Sequence, residues 1–398
     1  MINEHYLEML GHKSVIRELA EYAAVRGKEI GGENVFDFSL GNPSVPAPES
    51  FTDAAIRLLQ TEEPVRLHGY SPTLGIPSVK EKIAASLNRR FGMNYTAGHI
   101  FPASGCAGAV AHALRAVTKP GDKVLVQAPF FPEYIPYIND TGAQIEIIPA
   151  RFEDFQINFE ALEQMLQPGV AAILINSPNN PSGVAYTGET LEKLSSLLAA
   201  KSKELGYNLF LISDEPYREI AFGGREIPYP ARFYPHTLTC YSFSKSLSVP
   251  GERIGYVAVC PECEHAEDIV PMCGQISRGI GHNCPSSLIQ LAAAEAVDDT
   301  ADLSVYETNM ELLYETFREL GFEVKKPDGT FYIMPKALEE DAVSFCRKAQ
   351  KYDLIFVPCD AFHAHGYFRV AYCIDTEKVR RSLPVIRRFV KEVYGGNT

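Results

Sequence analysis

The chain has 398 residues, 46% of them hydrophobic, enough to bury a large core, which excludes a disordered chain and a small disulfide-stapled domain. Against 37 Lys and Arg stand 50 Asp and Glu, and the net charge of −13 is an unfavourable field for nucleic acid or an anionic membrane, both of which need a basic footprint. The 9 cysteines are odd in number and scattered, as reduced thiols of a cytoplasmic protein would be, and no signal peptide or bilayer-spanning run is legible, so the ligand to expect is a small molecule.

Taken in chain order, the first ~40 residues hold one predicted helix and the short FDFSLGNP segment. That is too little to fold alone, and it is expected to pack on a C-terminal unit or on a partner subunit. Ile76, Val79, Ile83, Leu87 and Phe91 share one face of a predicted helix. A second helical pattern, GAVAHALRAVTK, stops at Pro120-Gly121-Asp122, and KVLVQAP then reads as a buried strand. QIEIIP, AAILINSP, NLFLISDEP, TLTCYSFSK and RIGYVAVC follow as short apolar strands, with a helix from Thr190 to Leu205, closed by Gly206, among them. Near-continuous apolar strands interleaved with helices predict an α/β fold with a mostly parallel sheet covered on both faces. After about Pro285 the pattern changes to long amphipathic helices over roughly 287–320, 339–352 and 376–394, around strands in FEVKK and TFYIMP, LIFVPC and YFRVAYC. This predicts a smaller α+β domain, with Pro384 expected to break or kink its last helix. The division expected is an N-terminal segment (1–45), a large domain (46–285) and a small domain (286–398).

Ligands of such a sheet gather at the carboxyl ends of its strands. There AAILINSP runs into Asn179-Asn180-Pro181-Ser182-Gly183, NLFLIS into Asp214-Glu215-Pro216-Tyr217, and TLTCY into Ser242-Phe243-Ser244-Lys245; Arg253 then opens the next strand. Singly, each is ordinary turn chemistry. In this order they read Asn-x-Pro-x-Asn-Pro-Ser-Gly, Asp-x-x-Tyr, Ser-x-Ser-Lys and an arginine eight residues beyond the lysine, a pattern that resembles the class I/II aminotransferases, fold-type I enzymes that use pyridoxal 5′-phosphate. The resemblance runs from LGNPSVP to FRVAYC.

The resemblance implies a mostly parallel seven-stranded sheet sandwiched by helices plus a smaller α+β domain, a homodimer with shared active sites, and transfer of an amino group between an L-amino acid and a 2-oxo acid. A carbon–sulfur β-lyase or an aminocyclopropane-carboxylate-synthase-like enzyme is the alternative on the same scaffold. Lys245 would form the Schiff base with the cofactor and shuttle protons, since a desolvated lysine among cations becomes a usable base. Asp214 would keep the pyridine nitrogen protonated, and Asn180 and Tyr217 would donate to the phenolic oxygen. The phosphate would sit on the backbone N–H groups of Cys106 and Ala107, after the turn at Gly105, with Ser242 and Arg253 closing on it. Tyr70 would reach the phosphate from the other subunit, and Phe131 would stack on the pyridine face. Arg369 would bind the substrate's α-carboxylate as a bidentate donor, helped by Asn180 and by the backbone of Gly41.

The chain also departs from that pattern. Before Arg369 the segment Phe362-His363-Ala364-His365-Gly366-Tyr367-Phe368 is shorter by about two residues than in the family, which makes His363 and His365 candidates for the substrate pocket beside ordinary loop histidines. Ala107 stands where some members carry a lysine for a dicarboxylate side chain, and Arg278 is a candidate replacement beside a solvated loop arginine. Cys260-Pro-Glu-Cys263-x-His265 has a metal-ligand spacing but lacks a second pair, so no metal is expected.

Overall fold

The computed structural model describes residues 2, 4–10 and 14–395. Its first strand, β1 (Phe36–Asp37), pairs in parallel with Leu354–Ile355 far along the chain. Two helices, Glu4–Met9 and Val15–Ile30, precede it where one was expected.

The large sheet comprises β2 (Ile100–Ala103), β3 (Lys123–Gln127), β4 (Gln144–Ile148), β5 (Val170–Asn176), β6 (Phe210–Asp214), β7 (Thr237–Ser242) and β8 (Gly255–Val259). Their spatial order is β2-β8-β7-β6-β5-β3-β4, and only β8 runs antiparallel to its neighbours. Successive side chains of a strand point to opposite faces. Leu125, Ile173, Ile175 and Leu211 therefore pack against Leu191, Leu194 and Leu198 of the helix Gly188–Leu205, while Val124, Val126, Ala172, Leu174 and Ile212 join Ala109 and Ala113 of the helix Gly105–Val117. Both faces are dry, which is why these strands are apolar at nearly every position. From β3 the chain first steps outward to β4, then returns to β5 on the other side. The order thus reverses at β3 and β5, where open α/β sheets carry their ligands.

The C-terminal part holds β9 (Tyr332–Ile333), β10 (Leu354–Ile355), β11 (Val357–Pro358) and β12 (Phe368–Ala371), of which β11, β12 and β9 form an antiparallel sheet. Helices Ser304–Glu319, Ala342–Gln350 and Thr376–Tyr394 close on a core rich in phenylalanine: Phe317, Phe322, Phe345, Phe356, Phe368 and Phe389.

Several boundaries differ from the expectation. The predicted helix over 287–320 is two helices, Ser287–Glu295 and Ser304–Glu319, because the Asp298–Asp302 turn intervenes: Asp302 caps the backbone N–H of Ser304 and the Ala301 N–H donates to the Ser246 carbonyl. FEVKK forms no strand; it borders Pro327, and its one backbone bond to the neighbouring segment among the described residues is the Glu323 carbonyl accepting from the Lys336 N–H, beside a side-chain bond between the same two residues. Pro384 lies inside a continuous helix. A mid-helix proline costs about 3 kcal/mol, whereas Val379, Ile386, Phe389 and Val390, all buried on that helix, contribute about 1.5–3 kcal/mol each. Packing wins. Helices Glu49–Thr61 and Ala266–Ile280 had no counterpart in the sequence reading, and the second places Arg278 in a helical last turn rather than a loop.

Candidate active site

A cavity of about 300 Å³ opens at the carboxyl ends of β3, β5, β6 and β7. Three cations line it, Lys245, Arg253 and Arg369, and none has a carboxylate partner within 4.0 Å among the described residues. Buried Arg218, by contrast, binds Glu215 at 3.1 Å and Glu219 at 3.3 Å. Unpaired cations gathered in one cavity of a chain with net charge −13 mark it as an anion site.

Lys245 follows β7 on a one-turn helix, Phe243–Ser246. Its Nζ donates to the Gly41 carbonyl at 2.7 Å and lies 5.2 Å from the centroid of the Phe331 ring. Burial, reinforced by Arg253 and Arg369 and opposed by the Cys373 thiol, brings its pKa down to about 8, so a substantial neutral fraction exists at physiological pH. The approach of Gly41 depends on its missing side chain: a Cβ there would come within 2.8 Å of Cζ of Tyr332.

Asp214, the last residue of β6, is buried. Its Oδ1 accepts from the Cys106 thiol at 2.6 Å and its Oδ2 accepts from the Tyr134 hydroxyl. Burial raises its pKa to about 6, and the two hydrogen bonds hold it from going higher. Asn176, the last residue of β5, braces the same strand end by donating to the Asp214 carbonyl at 2.9 Å and accepting from the Asn180 N–H at 2.7 Å. The Tyr217 hydroxyl lies 3.3 Å from that of Tyr332, and burial raises its pKa well above the usual value, which keeps it a proton donor.

At one end of the cavity, Gly105 (φ +72°) opens the helix Gly105–Val117, leaving the amides of Cys106 and Ala107 in its unpaired first turn. A Cβ on Gly105 would sit 2.8 Å from Nη2 of Arg253, so glycine is required for both its backbone angle and its space. Arg253, itself left-handed at φ 54°, donates to the carbonyls of Pro250 and Ser104 at 3.0 and 3.3 Å. Ser242 lines the same end, with its side chain uncommitted to capping.

At the other end lies Arg369, 1% exposed, on β12. Its guanidinium donates to Asn180 Oδ1 at 3.0 Å and to the Ser39 carbonyl at 2.6 Å, while its buried Nε has no partner among the described residues. A fully buried guanidinium with a free N–H is arranged to receive an acceptor.

The fold thus brings together Gly41, Gly105, Cys106, Ala107, Phe131, Asn180, Asp214, Tyr217, Ser242, Lys245, Arg253 and Arg369. Phe131 lines the cavity, whereas Phe130 is buried behind it and stacks on His363 at 5.0 Å. Tyr70 does not join them: it is 99% exposed and borders a separate surface hollow with Ser71, Asn283 and Cys284. His363 and His365 do not line the cavity; His365 pairs with Asp360 at 2.8 Å on the surface. Arg278 is exposed and outside it as well. The Cys260 and Cys263 thiols point to the carbonyls of Ala231 and Glu264, and no group of three metal-binding side chains occurs among the described residues.

Sequence reasoning missed Tyr134, Asn176, Ile16 and Tyr332 in the lining, and it assigned Cys106 only its backbone. Asn176 had a signal, since it ends an apolar strand just as Asp214 does. Tyr332 had none, because alternation along TFYIMP leaves open which face looks inward.

Residues 33–386 match the sequence pattern described as aminotransferase class I and II. The chain is similar to the probable aspartate/prephenate aminotransferase of Aquifex aeolicus (29% identity, 91% of this chain and 92% of that protein) and to the aspartate aminotransferase of Thermotoga maritima (29%, 90% and 92%). Among solved structures, an aminotransferase from Eubacterium rectale superposes with a TM-score of 0.96 at 41% identity, covering 98% of this chain and 99% of that one. The aspartate aminotransferase of Thermus thermophilus with maleate reaches 0.85 at 25% identity, covering 95% and 97%.

Proposed function

Because the chain belongs to the class I and II aminotransferase family, whose members use pyridoxal 5′-phosphate, we propose that the cavity over Lys245 holds that cofactor and passes an amino group between an L-amino acid and a 2-oxo acid. The relatives are named aminotransferases, which favours transfer over the β-lyase and cyclopropane-synthase outcomes. The observation that carries the reading is the pair of anion sites on either side of a buried lysine: Arg253 with the helix N-terminus at Gly105, and Arg369 with its free Nε.

The residues fit the cofactor. A phosphate matches the glycine-lined cradle under Arg253, with the Cys106 and Ala107 amides and Ser242 as further donors. A pyridine nitrogen matches the buried carboxylate of Asp214, and a flat ring matches Phe131. Bound there, the cofactor supplies an electrophilic carbon and an electron sink. This chain's residues do the rest. Lys245, with its lowered proton affinity, would hold the cofactor, and its Nζ would take and return the substrate's α-proton. Asp214 stays charged and holds a proton on the ring nitrogen. Tyr217, kept protonated, and Asn180 donate toward the ring's phenolic oxygen. Arg369 orients the amino acid by its α-carboxylate, with Asn180 and Gly41 beside it, and so selects amino acids over simple amines.

The same reading divides the chain into the N-terminal segment 1–45, the large domain 46–285 and the small domain 286–398, and makes it a homodimer. Tyr70 is then explained by the partner's phosphate site, and the exposed Ile56, Leu59 and Val65, on the two helices that precede it in the chain, suit a subunit interface. Nine free thiols suit the cytoplasm. The three proteins named above from Aquifex, Thermotoga and Thermus have aspartate in their names, yet Lys245, Arg253 and Arg369 each have a role already, so this chain's described residues offer a second substrate carboxylate no further cation in the cavity.

The test is stoichiometric. The loaded protein, given one amino acid and no oxo acid, is expected to release one 2-oxo acid per site and stop. Continuous release of pyruvate and ammonia from a cysteine-type donor would replace transfer with lyase chemistry.

A further inference from the structure

Tyr332 is buried and sits where three parts of the site meet. It belongs to β9, which pairs antiparallel with β12 in the register Tyr332 opposite Ala371. Since side chains alternate along a strand, Ala371 and Arg369 share one face, and Tyr332 becomes the diagonal neighbour of Arg369 on that face. The guanidinium carbon of Arg369 lies 4.5 Å from the centroid of the Tyr332 ring and 5.0 Å from that of Phe362. The Tyr332 ring is also nearly perpendicular to that of Tyr217, with centroids 5.7 Å apart, an interplanar angle of 83° and the two hydroxyls 3.3 Å apart. Its hydroxyl end packs against Gly41, whose carbonyl accepts from Lys245.

We propose that Tyr332 is a positioning residue with two separable parts: its ring shelves Arg369 for the substrate carboxylate, and its hydroxyl donates to the Tyr217 oxygen so that the Tyr217 proton points into the cavity. The inference rests on the reading of the cavity given above and goes beyond it, because it assigns a residue outside the motifs. A phenol has one proton and two acceptor lone pairs. If Tyr217 gives its proton toward the cofactor, its oxygen is free to accept, and Tyr332 is the hydroxyl within reach. Such a chain strengthens the terminal donor, since each bond polarises the next. The ring works independently of the hydroxyl: a guanidinium over an aromatic face is held in plane, which preserves its fork for a carboxylate. The other charged or titratable groups that interact with Tyr332 among the described residues are Arg369, the Cys373 thiol and the buried Tyr372 phenol.

Tyr332→Phe removes the hydroxyl and keeps the ring; Tyr332→Leu removes both. The protein carrying pyridoxal phosphate is titrated by absorption, reduced with borohydride and mapped, and assayed for kcat and KM. With a weaker Tyr217 donor, more negative charge stays on the phenolic oxygen and retains the neighbouring proton. Tyr332→Phe is therefore expected to raise the pH midpoint of the cofactor's absorption change by about half a unit and to lower kcat about threefold to tenfold, the scale of one neutral hydrogen bond, with KM for the amino acid within about twofold. Tyr332→Leu adds a rise in KM of about thirtyfold, the scale of a desolvated cation–π contact. An unmoved midpoint in Tyr332→Phe, or a KM raised equally in both variants, overturns the inference alone. Reduction of the cofactor onto a lysine other than Lys245 in the unsubstituted protein overturns the cavity reading and this inference with it. If Tyr332→Leu does not fold, the Tyr332→Phe midpoint still decides for or against the hydroxyl's role.

Discussion

The Cys106 thiol donates to Oδ1 of Asp214 at 2.6 Å, from the first turn of the helix whose N-terminus also faces the cavity. One residue thus serves both ends of the proposed cofactor, its amide toward the phosphate and its side chain toward the ring nitrogen's carboxylate. Burial raises the Asp214 pKa to about 6, and the hydrogen bonds from the Cys106 thiol and, after it, the Tyr134 hydroxyl oppose that rise.

Asp214 must be charged to keep a proton on the ring nitrogen, so cofactor affinity of the apoprotein should fall as pH drops through about 6. A hydrogen bond to the charged form lowers a carboxyl pKa, and its removal raises it. Cys106→Ala should therefore move this acidic limb to higher pH, and Cys106→Ser, which keeps a donor, should largely restore it. Fluorescence titration of the apoprotein from pH 5 to 8 measures the limb; identical limbs in all three proteins would refute the link.

Lys245 attacks as the neutral amine, and its pKa of about 8 makes the neutral form the minority below that pH. The rate of covalent capture of pyridoxal phosphate by apoprotein should rise with pH and level off above about 8. Lys245→Ala should abolish the borohydride-fixed adduct altogether.

Arg369 is buried, and its free Nε awaits an acceptor. Arg369→Lys keeps the charge but loses the planar fork, a change worth about 1.5–3 kcal/mol for a hydrogen bond to a charged group. The expected result is a KM for the amino acid raised about tenfold to a hundredfold with a smaller change in kcat, read from steady-state kinetics. Unchanged KM would place the α-carboxylate elsewhere.

Gly105→Ala forces a side chain into left-handed backbone and against Arg253. Phosphate binding should suffer selectively: affinity for pyridoxal phosphate is expected to drop about tenfold, corresponding to about 1.4 kcal/mol, while affinity for pyridoxal without phosphate stays the same. Equal losses for both ligands would point to a general distortion instead.

Phe368 is fully buried, and its ring centroid lies 4.7–5.8 Å from those of Phe317, Phe322, Phe345 and Phe356. Phe368→Ala should cost about 3–5 kcal/mol of stability by denaturant melting. Because Arg369 follows it on β12, KM should rise too, which separates this variant from a core substitution remote from the site.

The sequence by itself determined six of the large sheet's seven strands, β3 to β8, and what stands at their ends; β2 was not read, and the strand expected in FEVKK does not form. Apolar runs of strand length stopping at Asn176, Asp214 and Ser242 reveal a doubly covered sheet and its ligand edge, since local patterning depends on neighbours along the chain. Family motifs then marked Lys245, Asp214, Arg253 and Arg369. Helix ends set by long-range contacts were not legible in that way: the break at Asp298–Asp302 rests partly on the Ser246 carbonyl, and the unbroken helix through Pro384 rests on core packing. Tyr134, Tyr332 and the Cys106 thiol also waited on the tertiary structure. Their partners are 80, 115 and 108 residues away in the chain, and only strand register and helix docking decide that such side chains meet. The same separation explains Tyr70, whose exposed ring has no place in the cavity of its own chain. The net charge of −13 disfavours polyanionic partners but locates no ligand; the fold does so by concentrating three unpaired cations in one cavity, because electrostatic attraction depends on distance and not on composition.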